Sequence, residues 1–289
     1  MTPLPPALRG VLWMLLAVTA WSAMYLFVRQ VSGRYTAFEI LFVRNAVTLL
    51  TMAPLLLGTP LAALRTQRFP MHCMRALLAC LGMLGLYAGI AYVPLPDVVA
   101  LSFTQPLFLV ALAPLVLRET VETRRWAATL IGFSGILIIV RPGFADVSAA
   151  MLLVLGSAAV YAGSNLCIKL LMRTDTPLQS VFYGNALMLP LSLVPALFAC
   201  VQPTWVDLGW MAGVGLTGAL GMYAVAQAYR AADASAVAPF DFLRLPITAS
   251  AAYVIFGDVA GPWTWAGALV IFGSSYALVL LESRARRGT

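Results

Sequence analysis

Asp241 and Arg244 stand three residues apart inside an apolar run covering 234–257. On a helix that spacing puts a carboxylate and a guanidinium on one face, close enough to pair. Inside hydrocarbon each charge alone costs about 2.5–3.5 kcal/mol, so both must face protein or water. Pro239 precedes the pair and Pro246 follows it, which predicts a kinked, locally loosened backbone. Charge on an interrupted helix at mid-membrane depth suits the binding of a polar solute, with Asp241 the candidate for a titrating carboxylate. A purely structural ion pair, locking one helix to its neighbours, is the competing explanation.

Other polar side chains recur at helical spacing. Ser22 and Arg29 share a face, as do Arg44, Thr48 and Thr51. The same holds for Ser102 with Gln105, for Ser157, Tyr161 and Ser164, for Tyr223, Gln227 and Arg230, and for Asp241, Arg244 and Thr248. Among the aromatics near this interior are Trp21, Tyr87, Phe103, Tyr161, Tyr223 and Phe242. Core packing explains many of them, and a cavity that stacks on flat solutes explains the others. Tyr87 and Tyr223 are the leading candidates because they fall at matching positions of an internal repeat. Pro106, Pro239 and Pro246 are candidate gating positions.

Catalytic machinery is not legible. The chain has no H-E-x-x-H, no G-x-S-x-G and no G-x-x-x-x-G-K-[ST] loop. An enzyme, a cofactor site and direct ATP coupling are therefore not expected. Cys73, Cys80, Cys167 and Cys200 are scattered and suggest neither a disulfide framework nor a metal site. His72, the only histidine, reads as a solvated loop residue beside Arg75. The net charge of +7 is carried almost entirely by arginines at the ends of apolar segments, which argues for topology and against a nucleic-acid partner.

The elements that must carry these residues follow from composition. With 62% hydrophobic and only 10% charged residues, the chain is too apolar for a soluble domain. Ten segments can be read at about 10–31, 37–57, 74–93, 97–117, 124–140, 148–172, 177–200, 207–230, 234–257 and 262–282. Each is near the ~20 residues that span a bilayer. Polar faces predict an interior built from spans 1, 3, 4, 6, 8 and 9, with 5 and 10 toward lipid. Asp97 and Asp233 are candidate helix N-caps. With the N-terminus inside, Arg9, Arg65, Arg68, Arg75, Arg118, Arg124, Arg125, Lys169, Arg173, Arg230, Arg284, Arg286 and Arg287 are cytoplasmic. Only Arg29, Arg34 and Arg141 fall outside, so both termini are expected in the cytoplasm.

The chain also repeats itself. A shift of 140 residues places Trp21 on Tyr161, Arg29 on Lys169, Glu39 on Gln179, Phe42 on Phe182 and Asn45 on Asn185. A shift of 136 places Leu84–Ala88 on Leu220–Ala224, and one of 139 places Glu119 on Asp258, Trp126 on Trp265 and Phe133 on Phe272. Each unit holds an odd number of spans, so the second must insert upside down. The expected fold is an all-α membrane protein of ten transmembrane helices in two inverted five-helix repeats, 1–143 and 144–289. Inverted repeats around a central site are the usual basis of alternating access.

Two inverted five-span units, with Glu119 and Asp258 ahead of Trp126 and Trp265, resemble the drug/metabolite transporter superfamily. The stretches Ser102–Phe108, Leu117-Arg118-Glu119 and Arg141-Pro142-Gly143 are similar to those of its EamA-type members. The resemblance implies a multi-pass carrier of the bacterial inner membrane, most simply an exporter of amino acids or toxic amphipathic compounds. Some relatives import vitamins or nucleoside-like cofactors of the riboflavin or S-adenosylmethionine type, and the Arg34-Tyr35 to Arg44 region resembles those. A passive channel is the remaining alternative. The partners expected are a small-molecule substrate and the lipid bilayer, with a monomer as the assembly. Substrate contacts would come from Trp21, Tyr87, Phe103, Gln105, Tyr161, Tyr223, Gln227, Asp241 and Arg244.

Overall fold

A computed structural model describes residues 6–60, 64–117, 122–141, 148–198, 201–232 and 234–287. Glu119, Asp233, Cys200 and Pro142-Gly143 lie outside the described residues. The helices are α1 (Pro6–Val31), α2 (Ala37–Leu57), α3 (Phe69–Tyr92), α4 (Leu95–Ser102), α5 (Gln105–Leu117), α6 (Thr123–Val140) and α7 (Ala149–Leu171). They continue with α8 (Pro177–Phe198), α9 (Trp205–Ala231), the short α10 (Ala234–Val237), α11 (Arg244–Phe256) and α12 (Pro262–Arg287). A 3-10 segment, Ala238–Leu243, joins α10 to α11.

Among the described residues, nine stretches are long and apolar enough to cross a membrane, Leu95–Val116 among them although α4 and α5 break within it. The remaining crossing, α10 to α11, is the one built around Asp241 and Arg244. Both interruptions fall where prolines remove backbone donors: Pro106 in the first turn of α5, Pro239 in the 3-10 segment and Pro246 in the first turn of α11.

Local sequence sets the helix starts in a repeated way. Thr36 and Glu39 form a reciprocal cap on α2, the Thr36 N–H donating to Glu39 Oε2 at 2.8 Å. Thr176 and Gln179 repeat this on α8 at 2.7 Å. Each acceptor residue then crosses to the other half: Glu39 Oε1 accepts from the Val201 N–H at 3.1 Å, and Gln179 Nε2 donates to the Arg65 carbonyl at 2.7 Å. Asp97 does not cap α4. Leu95-Pro96 start that helix two residues earlier, and the Asp97 carboxylate instead accepts from Thr264 of α12.

Packing follows the duplication. The contacting pairs include α1 with α9, α3 with α7, α2 with α8, α6 with α12 and α4 with α11. Counted as crossings these are 1·8, 3·6, 2·7, 5·10 and 4·9, a set that maps onto itself when the halves exchange. Lipid offers no hydrophobic drive for helix association, so these contacts rest on close van der Waals approach through small residues. A Cβ at Gly135 of α6 would lie 2.7 Å from the Gly267 carbonyl of α12, leaving no room for a side chain.

Polar networks tie down both ends of the bundle. At one end Asp258 accepts from Arg29 at 3.4 Å and from the Leu95 N–H at 3.0 Å. Nearby, Asp207 accepts from Tyr35 at 2.9 Å and from Thr204 at 2.7 Å. At the other end Asp175 meets His72 Nε2 at 2.8 Å and accepts from Thr66 at 2.6 Å. His72 is thus not solvated: α3 begins early enough to enclose it at 0% exposure beneath the Tyr183 ring. Burial pushes the Asp175 carboxyl up, but hydrogen bonds from Thr66, His72 and Thr174 outweigh it and hold it below the usual carboxylate range.

Two outcomes follow. Gly135→Val should cost about 1–3 kcal/mol by overpacking and lower the thermal midpoint in detergent. Gly273→Ala, where a Cβ meets nothing within 4 Å, should leave it unchanged or slightly higher. Asp175→Asn should lower the midpoint at pH 7 by a few degrees. A depressed folded-state pKa stabilises in full above the unfolded value of about 4 and is lost as pH falls through the folded one, so the gap between wild type and variant should close below about pH 4.

Candidate functional site

A cavity of about 350 Å³ lies between the two halves. Its wall comes from α1 (Trp21, Met24, Tyr25), α2 (Arg44), α3 (Arg75, Gly82, Met83, Leu86), Ser102 and Gln105 at the α4–α5 break, α7 (Ser157, Ala158, Tyr161, Asn165, Ile168), α9 (Gly218, Met222) and Arg244. Neither α6 nor α12 contributes, in keeping with their position outside the interior. Crossing 2 does contribute, through Arg44, which the polar-face argument had left out. The volume fits a small metabolite.

Arg244 is held in place from several sides. Its guanidinium lies 5.1 Å from the Trp21 ring and 4.6 Å from the Phe103 ring. Its Nη2 donates to Asp241 Oδ2 at 3.3 Å. Phe103 in turn stacks on Phe242 at 4.5 Å and 12°. The planar guanidinium suits this sandwich between aromatic faces. Below it, Thr248 donates to Ser22 at 2.9 Å, both side chains buried, which fixes α11 against α1.

Arg44 and Arg75 are placed differently. Arg44 Nη1 donates to Asn45 Oδ1 at 3.1 Å and touches the Met83 sulfur at 3.3 Å. Arg75 Nη1 donates to the Ser180 carbonyl, and the Arg75 carbonyl accepts from Ser164 at 3.0 Å. The Nε atoms of Arg44, Arg75 and Arg244 are buried without a hydrogen-bond partner. Among the described residues no carboxylate pairs with Arg44 or Arg75, and none lines the cavity. The cavity is therefore cationic, with donors to spare and aromatic lining from both halves, Trp21 and Tyr161.

The residues singled out by sequence divide into three groups. Trp21, Gln105, Tyr161 and Arg244 line the cavity. Phe103, Asp241 and Tyr87 sit behind its wall: Phe103 beneath Arg244, Asp241 paired to it, and Tyr87 at 1% exposure with its hydroxyl toward Arg44. Tyr223 and Gln227 lie elsewhere. Tyr223 is 56% exposed, meets Trp13 edge-on at 5.8 Å and accepts from Gln227 at 2.8 Å. The reason is the packing of α9, which presses Gly218, Gly221, Ala224 and Ala228 against α1 and so turns Tyr223 outward. Pro106, Pro239 and Pro246 stand at the two helix breaks flanking the cavity. Sequence reasoning gave Arg44 a polar helical face with Thr48 and Thr51 and put Arg75 beside a cytoplasmic loop, but assigned neither to the site; α3 in fact starts at Phe69 and carries Arg75 within it. Their signal was present, since neither has a carboxylate at helical spacing.

Comparison with known proteins adds the remaining findings. The EamA-like transporter family matches residues 8–141 and 148–280. A riboflavin transporter of Vibrio cholerae is 35% identical over 97% of this chain and 96% of its own. One from Rhizobium johnstonii is 34% identical over 97% of this chain and 94% of its own. An S-adenosylmethionine uptake transporter of Rickettsia bellii is 28% identical over 96% and 95%. A solved crystal structure of another protein superposes at a TM-score of 0.61 with 17% identity, covering 96% of this chain and 98% of its own, a likeness of fold alone.

Proposed function

Because the chain belongs to the EamA-like transporter family, we propose that this secondary transporter imports a flat, acceptor-rich metabolite of the riboflavin type across the bacterial inner membrane. The cavity carries this reading. Buried cations without carboxylate partners are costly unless acceptor groups reach them. An isoalloxazine ring supplies carbonyl oxygens for guanidinium donors and a face for Trp21 and Tyr161. A ribityl chain supplies hydroxyls for Ser102, Gln105 and Asn165.

The same chemistry separates the alternatives. Amino-acid export, the simplest expectation from family resemblance, would require an acceptor for the α-ammonium group, and among the described residues no carboxylate lines the cavity. S-adenosylmethionine carries a sulfonium charge that three guanidiniums in the wall disfavour. A passive channel fits poorly with inverted halves and interrupted helices facing a central cavity. The halves 1–143 and 144–289 are the working units, each containing one family match, and they alternate access as a monomer in the bilayer. Arginine distribution supports a cytoplasmic location for both termini.

Purified protein in proteoliposomes should exchange labelled riboflavin saturably, and should exchange tryptophan, adenosine and cationic drugs far less. Trp21→Ala and Tyr161→Ala should each raise the half-saturation concentration about tenfold, whereas Tyr223→Ala should not change it. Amino-acid exchange without riboflavin exchange would refute the assignment. For topology, cysteines introduced at Glu122 and Ser148, which flank α6, should label from opposite faces of the membrane in a background without native cysteines, with position 122 inside. Labelling from one face would overturn the arrangement.

A further inference from the structure

The paired caps on α2 and α8 fix the register between the halves. Thr36 corresponds to Thr176 and Glu39 to Gln179. On that register the counterpart of Arg44 is Gly184. The second half therefore lacks the arginine that the first half points at the cavity. The space is nevertheless filled by a guanidinium. A Cβ at Gly184 would fall 2.9 Å from both Cζ and Nη2 of Arg75, which reaches over from α3. At the equivalent contact between the halves, α2 with α9, Gly218 lies beside Arg44, whose Nε would stand 3.6 Å from an added Cβ.

The aromatic walls obey the same exchange. Tyr161, the counterpart of Trp21, packs over Gly82, where an added Cβ would meet its Cβ at 3.0 Å. Trp21 packs over Gly221, with Nε1 2.5 Å from an added Cβ. One aromatic thus faces the cavity from each half, whereas Arg44 and Arg75 both come from the first half, Arg44 standing beside Gly218 of α9 and Arg75 beside Gly184 of α8. The guanidiniums also differ in depth. Arg44 touches Met83, which lies about 12 Å along α3 from Arg75.

We propose that Arg44 and Arg75 form a pair of substrate-binding guanidiniums at the two equivalent contacts between the halves, α2 with α9 and α3 with α8, with Arg75 using the space that Gly184 leaves open, and that the pair grips the two ends of an elongated, flat ligand with acceptor groups at both. The proposal rests on the reading of the cavity as the substrate site. It explains why two cations are retained in the interior without carboxylates. It also makes the donor portable: an arginine grown from α8 should replace one grown from α3.

Riboflavin binding in detergent and the thermal midpoint, measured on the same set of proteins, test this. Arg75→Ala should weaken binding about tenfold or more, the loss of a charge-assisted donor. Arg75→Ala with Gly184→Arg should recover most of that loss, and Arg75→Ala with Gly184→Ala should not. Gly184→Arg alone forces the new side chain through the space held by the Arg75 guanidinium and should lower the thermal midpoint, which the double arginine exchange should restore. Normal binding by Arg75→Ala, or a double exchange no better than its parents in binding and midpoint, would overturn the proposal. A wild-type protein that fails to bind riboflavin would count against the functional reading alone, because the order of midpoints decides the exchange of donors without any substrate.

Discussion

A cation inside hydrocarbon must be given partners, and most of this structure is arranged around meeting that demand. Arg29 finds Asp258 and a backbone carbonyl, and Arg244 finds Asp241 with an aromatic face on either side. The buried His72 ring, a polar group with the same need, meets Asp175 under the Tyr183 ring. Arg44 and Arg75 are the exceptions: among the described residues neither has a carboxylate partner, each leaves a buried Nε unmatched, and both open onto the cavity. Where protein leaves donors unsatisfied in a low-dielectric interior, a ligand with acceptors gains most.

Duplication supplies the frame for this. Each half caps its second helix by the same threonine-based box and sends the capping side chain across to the opposite half. The interruptions of crossings 4 and 9 meet where Phe103 stacks on Phe242. Symmetry then ends at the ligand. The helix that restarts after the first break begins with Gln105 and the one after the second begins with Arg244, so similar backbones present a neutral amide and a cation. A cavity with unlike sides orients an unsymmetrical solute, although the backbone around it is near-symmetric.

The stabilising networks at the two ends also differ in chemistry while matching in position. Tyr35 with Asp207 closes one loop, and Asp175 with His72 closes its counterpart. The carboxylate has moved from one side of the contact to the other, so hydrogen bonding is retained while the sequence match between the halves is lost. Burial pushes the Tyr35 hydroxyl up, reinforced by its bond to Asp207, so it serves as a neutral donor through the physiological range.

Sequence by itself determined the membrane class, the duplicated ten-crossing plan, the breaks at Pro106, Pro239 and Pro246, and the Asp241–Arg244 contact. All of these rest on local properties: apolar run length, proline stereochemistry and helical spacing. Tertiary structure decided which face of each helix looks inward. Tyr87 and Tyr223 occupy matching repeat positions, yet one is buried and the other exposed, because α9 turns its glycine edge to α1. His72 reads as a loop residue until α3 starts at Phe69 and carries it inside. Arg75 reaches the cavity only because Gly184, on a helix far along the chain, leaves space for it. Helix rotation depends on the small residues of a distant partner, and no spacing within a single helix encodes that.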